Sequence, residues 1–165
     1  MPARQIGVRR VSVISRKPFE RVVAVLEAAV GHPDMAAFSR DLAASKSYAE
    51  MEQVTRAALG SSGFMEFARF DLGAVLAKAQ GPDAPKSLRL VVGNPLIMQA
   101  MVRHVPDAGS YAPVTVLIDE RADGVHLSYD EMASLIESYG NAEALRVARD
   151  LDAKVRALLT EAAES

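Results

Sequence analysis

The chain has 165 residues and a mass of 17.7 kDa, a size that suits one domain able to bury its own core. Half of its residues are hydrophobic and 24% are charged, which excludes collagen-like, disordered and coiled-coil classes. The absence of cysteine removes disulfides, thiolate zinc sites and cysteine nucleophiles together, and a net charge of -2 gives no general reason to expect nucleic acid.

No apolar run approaches the roughly 18 to 20 residues of a membrane span. The basic start (Arg4, Arg9, Arg10) has no apolar stretch behind it, so no secretory signal is expected and the cytoplasm is the expected compartment. Residues 1–21 carry six basic side chains against Glu20, a sum of +5, which leaves -7 for the remainder. Such a basic segment suits either anion steering or a solvated edge strand that resists aggregation.

The first strand is predicted at Val8 to Ser15, rich in β-branched residues. Pro18 then opens a helix with Phe19, Val22, Val23, Leu26 and Val30 at helical spacing, stopped by Gly31. Two further helices follow over 32–60. Pro33 suits the first position of one, with Met35, Phe38 and Leu42 as its stripe. Ser47 and Glu50 form a capping box for the other, and Gly60-Ser61-Ser62-Gly63 ends the pair as a flexible joint.

Phe64 to Phe70 reads as a strand, Leu72 to Ala79 as a short helix and Leu88 to Val92 as a strand buried in the sheet. Asn94 and Pro95 open another helix carrying Ile97 and Met101, and Met98 and Met101 read as core filler. Val114, Val116 and Ile118 alternate, as do Val125 and Leu127, and Asp123-Gly124 between them signals a hairpin. Ser128 with Glu131 reads as a second capping box before Met132, Leu135 and Ile136. The last helix steps through Ala144, Ala148, Leu151, Val155, Leu158 and Ala162. Arg146 with Asp150, Asp150 with Lys154 and Asp152 with Arg156 are expected as i,i+4 pairs on its outer face. Strands interrupted by helices and finished by a hairpin define an α+β class: a mixed or antiparallel sheet of about five strands with helices on one face.

No phosphate-loop, dinucleotide, zinc-protease or nucleophile-elbow motif is present, and the three histidines are far apart in sequence. No metal and no cofactor is expected. Three places suit chemistry. Phe67-Ala68-Arg69-Phe70-Asp71 ends a strand in an acid: Asp71 suits an acid, a base or a ligand contact, and equally an N-cap. Gly93-Asn94-Pro95 joins strand to helix, and its backbone N–H groups suit an anion, although conformation alone explains each residue. Tyr129 suits a hydroxyl aimed into a pocket, or a core residue whose hydroxyl meets a protein partner.

At these places the chain resembles the domain of unknown function 302 family. The similar segments are FMEFARFD (Phe64 to Asp71), LVVGNP (Leu90 to Pro95) and PVTVLIDERADGVHLSYD (Pro113 to Asp130). The resemblance implies a TATA-binding-protein-like α+β sandwich, often homodimeric, with no established activity; the fold name carries no warrant for DNA binding. Leu72 and Gly73 follow Asp71 where members often carry histidine, and 32–60 looks like a helical insertion within a single domain spanning 1–165. The expectation is a ligand-binding or regulatory module whose pocket gathers Arg69, Asp71, Gly93, Asn94 and Tyr129 around a small anionic or polar ligand. The alternatives are a metal-free hydrolase or isomerase working through Asp71 and a purely structural dimer module.

Overall fold

A computed structural model describes residues 3–165. The chain runs β1 (Arg10–Ser15), α1 (Phe19–Ala29), α2 (Met35–Ala44), α3 (Tyr48–Ala58), β2 (Met65–Asp71), α4 (Leu72–Gln80), β3 (Ser87–Gly93) and α5 (Pro95–Val102). It continues through β4 (Val114–Arg121), β5 (Gly124–Asp130), α6 (Met132–Ile136) and α7 (Ala142–Glu164), with a 3-10 turn after α5 and another after α6. The strands make one open sheet in the order β1-β5-β4-β3-β2, and every pairing is antiparallel. The expected α+β class holds, and the sheet is wholly antiparallel.

Alternation along the strands decides which face is covered. Leu88, Leu90 and Val92 on β3, Val114, Val116 and Ile118 on β4, and Val125, Leu127 and Tyr129 on β5 are buried. They meet Val22 and Leu26 of α1 and the predicted stripe of α7, where Ala148, Val155 and Ala162 are fully enclosed. Each large side chain buried in this way contributes about 1.5 to 3 kcal/mol, so this face fixes the sheet register. On the other face stand Arg10 and Ser12 of β1, Ser128 and Asp130 of β5, Thr115 and Leu117 of β4, and Arg89 and Val91 of β3.

Several local readings change. Asp34 caps α2 by accepting the Ala37 N–H at 2.8 Å, so Pro33 precedes the helix instead of opening it. Ser128 lies inside β5, and its hydroxyl meets that of Ser12 at 2.9 Å, so it forms no capping box with Glu131. Asp152 is buried, 3% exposed, and Arg156 pairs with Glu131 instead; Arg146 does reach Asp150, at 3.5 Å.

Residues 60–63 are a bonded turn, where the sequence suggested a flexible joint. The Gly31 and Gly60 N–H groups both donate to the Phe64 carbonyl at 2.9 Å, the Ser62 N–H donates to the Ala29 carbonyl at 2.9 Å, and the Glu66 N–H donates to the Gly31 carbonyl at 2.8 Å. The two ends of the α2–α3 hairpin therefore cross backbone to backbone. A Cβ on Gly31 would lie 2.0 Å from the Ala58 carbonyl oxygen, and one on Gly60 would lie 2.4 Å from that of Ala29. Backbone cannot yield as a side-chain tip does. Gly31→Ala is expected to lower unfolding stability by about 3 kcal/mol, the upper range for overpacking. Urea denaturation checks this against Gly7→Ala, whose Cβ would meet nothing within 4 Å.

Candidate functional site

β2 delivers the first expected residues, on a sheet edge. Asp71 is exposed, and its Oδ1 accepts the Ala74 N–H at 2.8 Å, capping α4. Arg69 pairs in register with Leu90 and so faces the helices, where it meets Glu66 at 2.9 Å and also Glu27 of α1. The Glu66 hydrogen bond, with help from Glu27, raises its pKa further, so it is a charged but neutralised group. A bulge between Glu66 and Ala68 adds one residue at Phe67 and re-aims that strand.

Phe67 consequently borders a pocket of about 280 Å³ beside the Gly93-Asn94-Pro95 turn. Phe38 and Leu42 of α2, Met98 and Met101 of α5, and Pro113 complete much of its wall, which is almost wholly apolar. Gly93 is needed here because a Cβ would approach Pro113 Cβ to 2.9 Å and the Phe67 ring to 3.4 Å. The Asn94 side chain and the N–H groups that start α5 are engaged. Asn94 accepts the Leu96 N–H at 2.9 Å and donates to the Gly63 carbonyl at 3.0 Å. The Ile97 and Met98 N–H groups both reach the Asn94 carbonyl at 3.0 Å. Pro95 has no N–H, so the first turn of α5 offers an anion no free donor.

Tyr129 points into the core. Its hydroxyl donates to Asp152 at 2.6 Å, and the same carboxylate accepts the Met132 N–H at 2.8 Å and the Ala133 N–H at 3.0 Å. Asp152 thus caps α6 from another helix, a task expected of Ser128. Burial first, then the charge and hydrogen bond of Asp152, push the Tyr129 hydroxyl well above tyrosine's ordinary 10.0. Next to it Glu131, fully buried, is paired with Arg9 and Arg156.

A second cavity, a groove of about 650 Å³, runs over the uncovered sheet face between Leu72, Arg89, Leu117, Ser128 and Leu135, with Tyr129 at its border. Of the five expected residues, only Gly93 and Asn94 share a cavity. Tyr129 borders the groove with its hydroxyl turned away, while Arg69 and Asp71 border neither. The sequence reading missed Phe38, Leu42 and Phe67 as pocket residues, Arg89 in the groove, and Asp152. Asp152 had a signal. It lies four residues after Ala148 and three before Val155, on the buried face of α7.

Among the described residues no three histidine, aspartate or glutamate side chains gather as a metal would need, and no helix is long and apolar enough to cross a membrane. Fold and cavities together define a small α+β domain with an antiparallel five-stranded sheet, an apolar pocket and an open-face groove. The chain belongs to the family described as domain of unknown function DUF302, which matches residues 38–162. It is similar in structure to an uncharacterized conserved DUF302 protein from Bacillus stearothermophilus, known from a crystal structure. That likeness has a TM-score of 0.65 and 13% identity, and covers 93% of this chain and 97% of that one; identity so low establishes the fold alone. No curated protein matches.

Two outcomes follow from these contacts. Asp71→Asn keeps an oxygen for the Ala74 N–H and is expected to leave stability near wild type, whereas Asp71→Ala costs about 0.5 to 2 kcal/mol in urea denaturation. Tyr129 sets an alkaline limit. The unfolded chain ionises this hydroxyl near pH 10 while the folded chain keeps its proton. Stability is therefore complete below about pH 10 and falls above it by up to ~1.4 kcal/mol per pH unit. Tyr129→Phe is expected to remove its share of that slope, while Tyr139, raised by its hydrogen bond with Tyr111, keeps its own; equal slopes in the two proteins would show that the core does not hold the proton.

Proposed function

We propose that the chain is a ligand-binding domain whose pocket beside Gly93-Asn94-Pro95 takes a small apolar molecule. One observation carries this reading: a pocket of about 280 Å³, walled by apolar side chains, sits at a turn whose side-chain amide and helix-start N–H groups are already satisfied. Its size, near the lower end of ligand pockets, suits one aromatic ring or a short alkyl chain. Met98 and Met101 give the wall adaptable shape. The anionic or polar ligand suggested by the sequence finds no free donor in the first turn of α5, and an acid–base role finds no enclosure around the exposed Asp71. Four partly exposed apolar side chains, Ile14, Phe70, Leu72 and Val75, support a second reading, a homodimerisation module.

The pocket is tested with toluene as probe. Saturable movement of the Met98 and Met101 methyl resonances is expected, and Leu42→Trp, which fills the pocket from α2, is expected to abolish it. Methyl resonances that stay fixed at saturating toluene would overturn the proposal.

A further inference from the structure

Four arginines stand on strands of the sheet, and three of them are neutralised. Arg10 on β1 meets Asp130 through two hydrogen bonds of 2.6 and 2.8 Å. Arg69 on β2 meets Glu66 and Glu27, and Arg121 on β4 meets Asp119 at 2.6 Å. Arg89 on β3 is different. Among the described residues no carboxylate oxygen lies within 4.0 Å of it. Its one polar side-chain contact is the Thr115 hydroxyl at 3.5 Å, the outer limit of a hydrogen bond, and its guanidinium lies 5.6 Å from the centre of the Phe70 ring.

Position makes this charge more than a solvated surface group. Leu88 and Leu90 turn to the helices, so Arg89 stands on the uncovered face, in register with Phe70 on one side and Leu117 on the other. It opens into the 650 Å³ groove, whose floor near it is Val91, Leu117 and Leu72. The second arginine of the groove, Arg10, is already spent on Asp130. The groove therefore presents one uncompensated, forked cation beside apolar surface, with a hydroxyl within reach and a carboxylate at its far wall.

We propose that this groove is a binding site for an organic carboxylate: a single carboxylate on a short apolar body. The guanidinium of Arg89 takes the carboxylate in its fork, a geometry that arginine matches and lysine does not. The Thr115 hydroxyl donates alongside, and the apolar body covers Val91 and Leu117. A phosphate dianion fits less well, because only one free cation is present and Asp130 faces the same space. An exposed ion pair alone binds weakly, so the apolar body has to supply much of the affinity. The site goes beyond the apolar pocket. The two cavities share only Ala112, Pro113 and Val114 as wall.

Phenylbutyrate is the probe, with the uncharged phenylbutanol and inorganic phosphate as comparisons, followed by amide chemical shifts. Wild type is expected to bind phenylbutyrate on the order of tenfold more tightly than phenylbutanol, with shifts at Val91, Thr115 and Leu117. Arg89→Met is expected to erase that preference, and Arg89→Lys to retain part of it. Leu42→Trp, which closes the apolar pocket, leaves groove binding unchanged, so failure of one site is separable from failure of the other. The proposal is overturned by equal phenylbutyrate affinity in wild type and Arg89→Met, or by shifts confined to Phe38, Phe67 and Met98. Phosphate shifts without phenylbutyrate shifts also overturn it, as does light scattering that gives a dimer whose interface blocks these shifts.

Discussion

A single buried carboxylate organises the carboxy-terminal half of the molecule. Asp152 sits inside α7, 3% exposed, and its two oxygens accept one hydroxyl and two backbone N–H groups. An ionised group out of water is tolerated only where such donors converge, and removing any of them leaves charge or dipole unmet. Three elements must therefore arrive together: β5 with Tyr129, the start of α6, and α7. Helix α6 is only five residues long and carries no side-chain cap of its own. Its place is set by α7.

Glu131 extends the same constraint to the amino-terminal strand. Its buried side chain is paired with Arg9, just before β1, and with Arg156 on α7. The backbone repeats the link, since the Glu131 N–H donates to the Arg9 carbonyl at 2.9 Å and the Arg9 N–H to the Ser134 hydroxyl at 2.9 Å. Part of the excess of basic residues in the first 21 is engaged in this way. Arg9 answers Glu131, Arg10 answers Asp130, and Arg21 reaches the carbonyl of Ser165 at 3.2 Å. Arg9 and Arg10 thus serve internal pairing and not the steering of anions.

What the sequence discloses depends on the range of the interaction. Alternation in Val114, Val116 and Ile118, the α7 stripe, the Asp123-Gly124 hairpin and the Ser47 cap are local patterns, and each appears where expected. Apart from the start of α2, where Asp34 and not Pro33 sets the boundary, the misreadings involve partners far along the chain. Ser128 has the spacing of a cap, but β5 runs on through it and Asp152, twenty residues beyond Met132, takes the task. Gly60-Ser61-Ser62-Gly63 has the composition of a flexible joint, yet Ala29 and Phe64 bind it. Arg69 and Asp71 share a strand end with opposite fates, one turned to α1 and the other spent on α4. Only Gly93 and Asn94 keep their place together at one cavity, because the turn that exposes them is itself local.

That turn also explains why the pocket is apolar. The Asn94 side chain and carbonyl and the Leu96, Ile97 and Met98 N–H groups satisfy one another, with Gly63 as the outside partner, so little polar surface is left facing the space beside them. The opposite wall belongs to α2, where Phe38 is the one buried residue, while in α3 only Thr55 is buried. The hairpin is anchored through backbone at Gly31 and Gly60 and makes few buried side-chain contacts beyond them. Segments with strong ends and little buried apolar surface open at lower free energy than a sheet core does. In the proposed reading a ligand enters by displacement of α2, because the rest of the wall belongs to the sheet, α5 and α7.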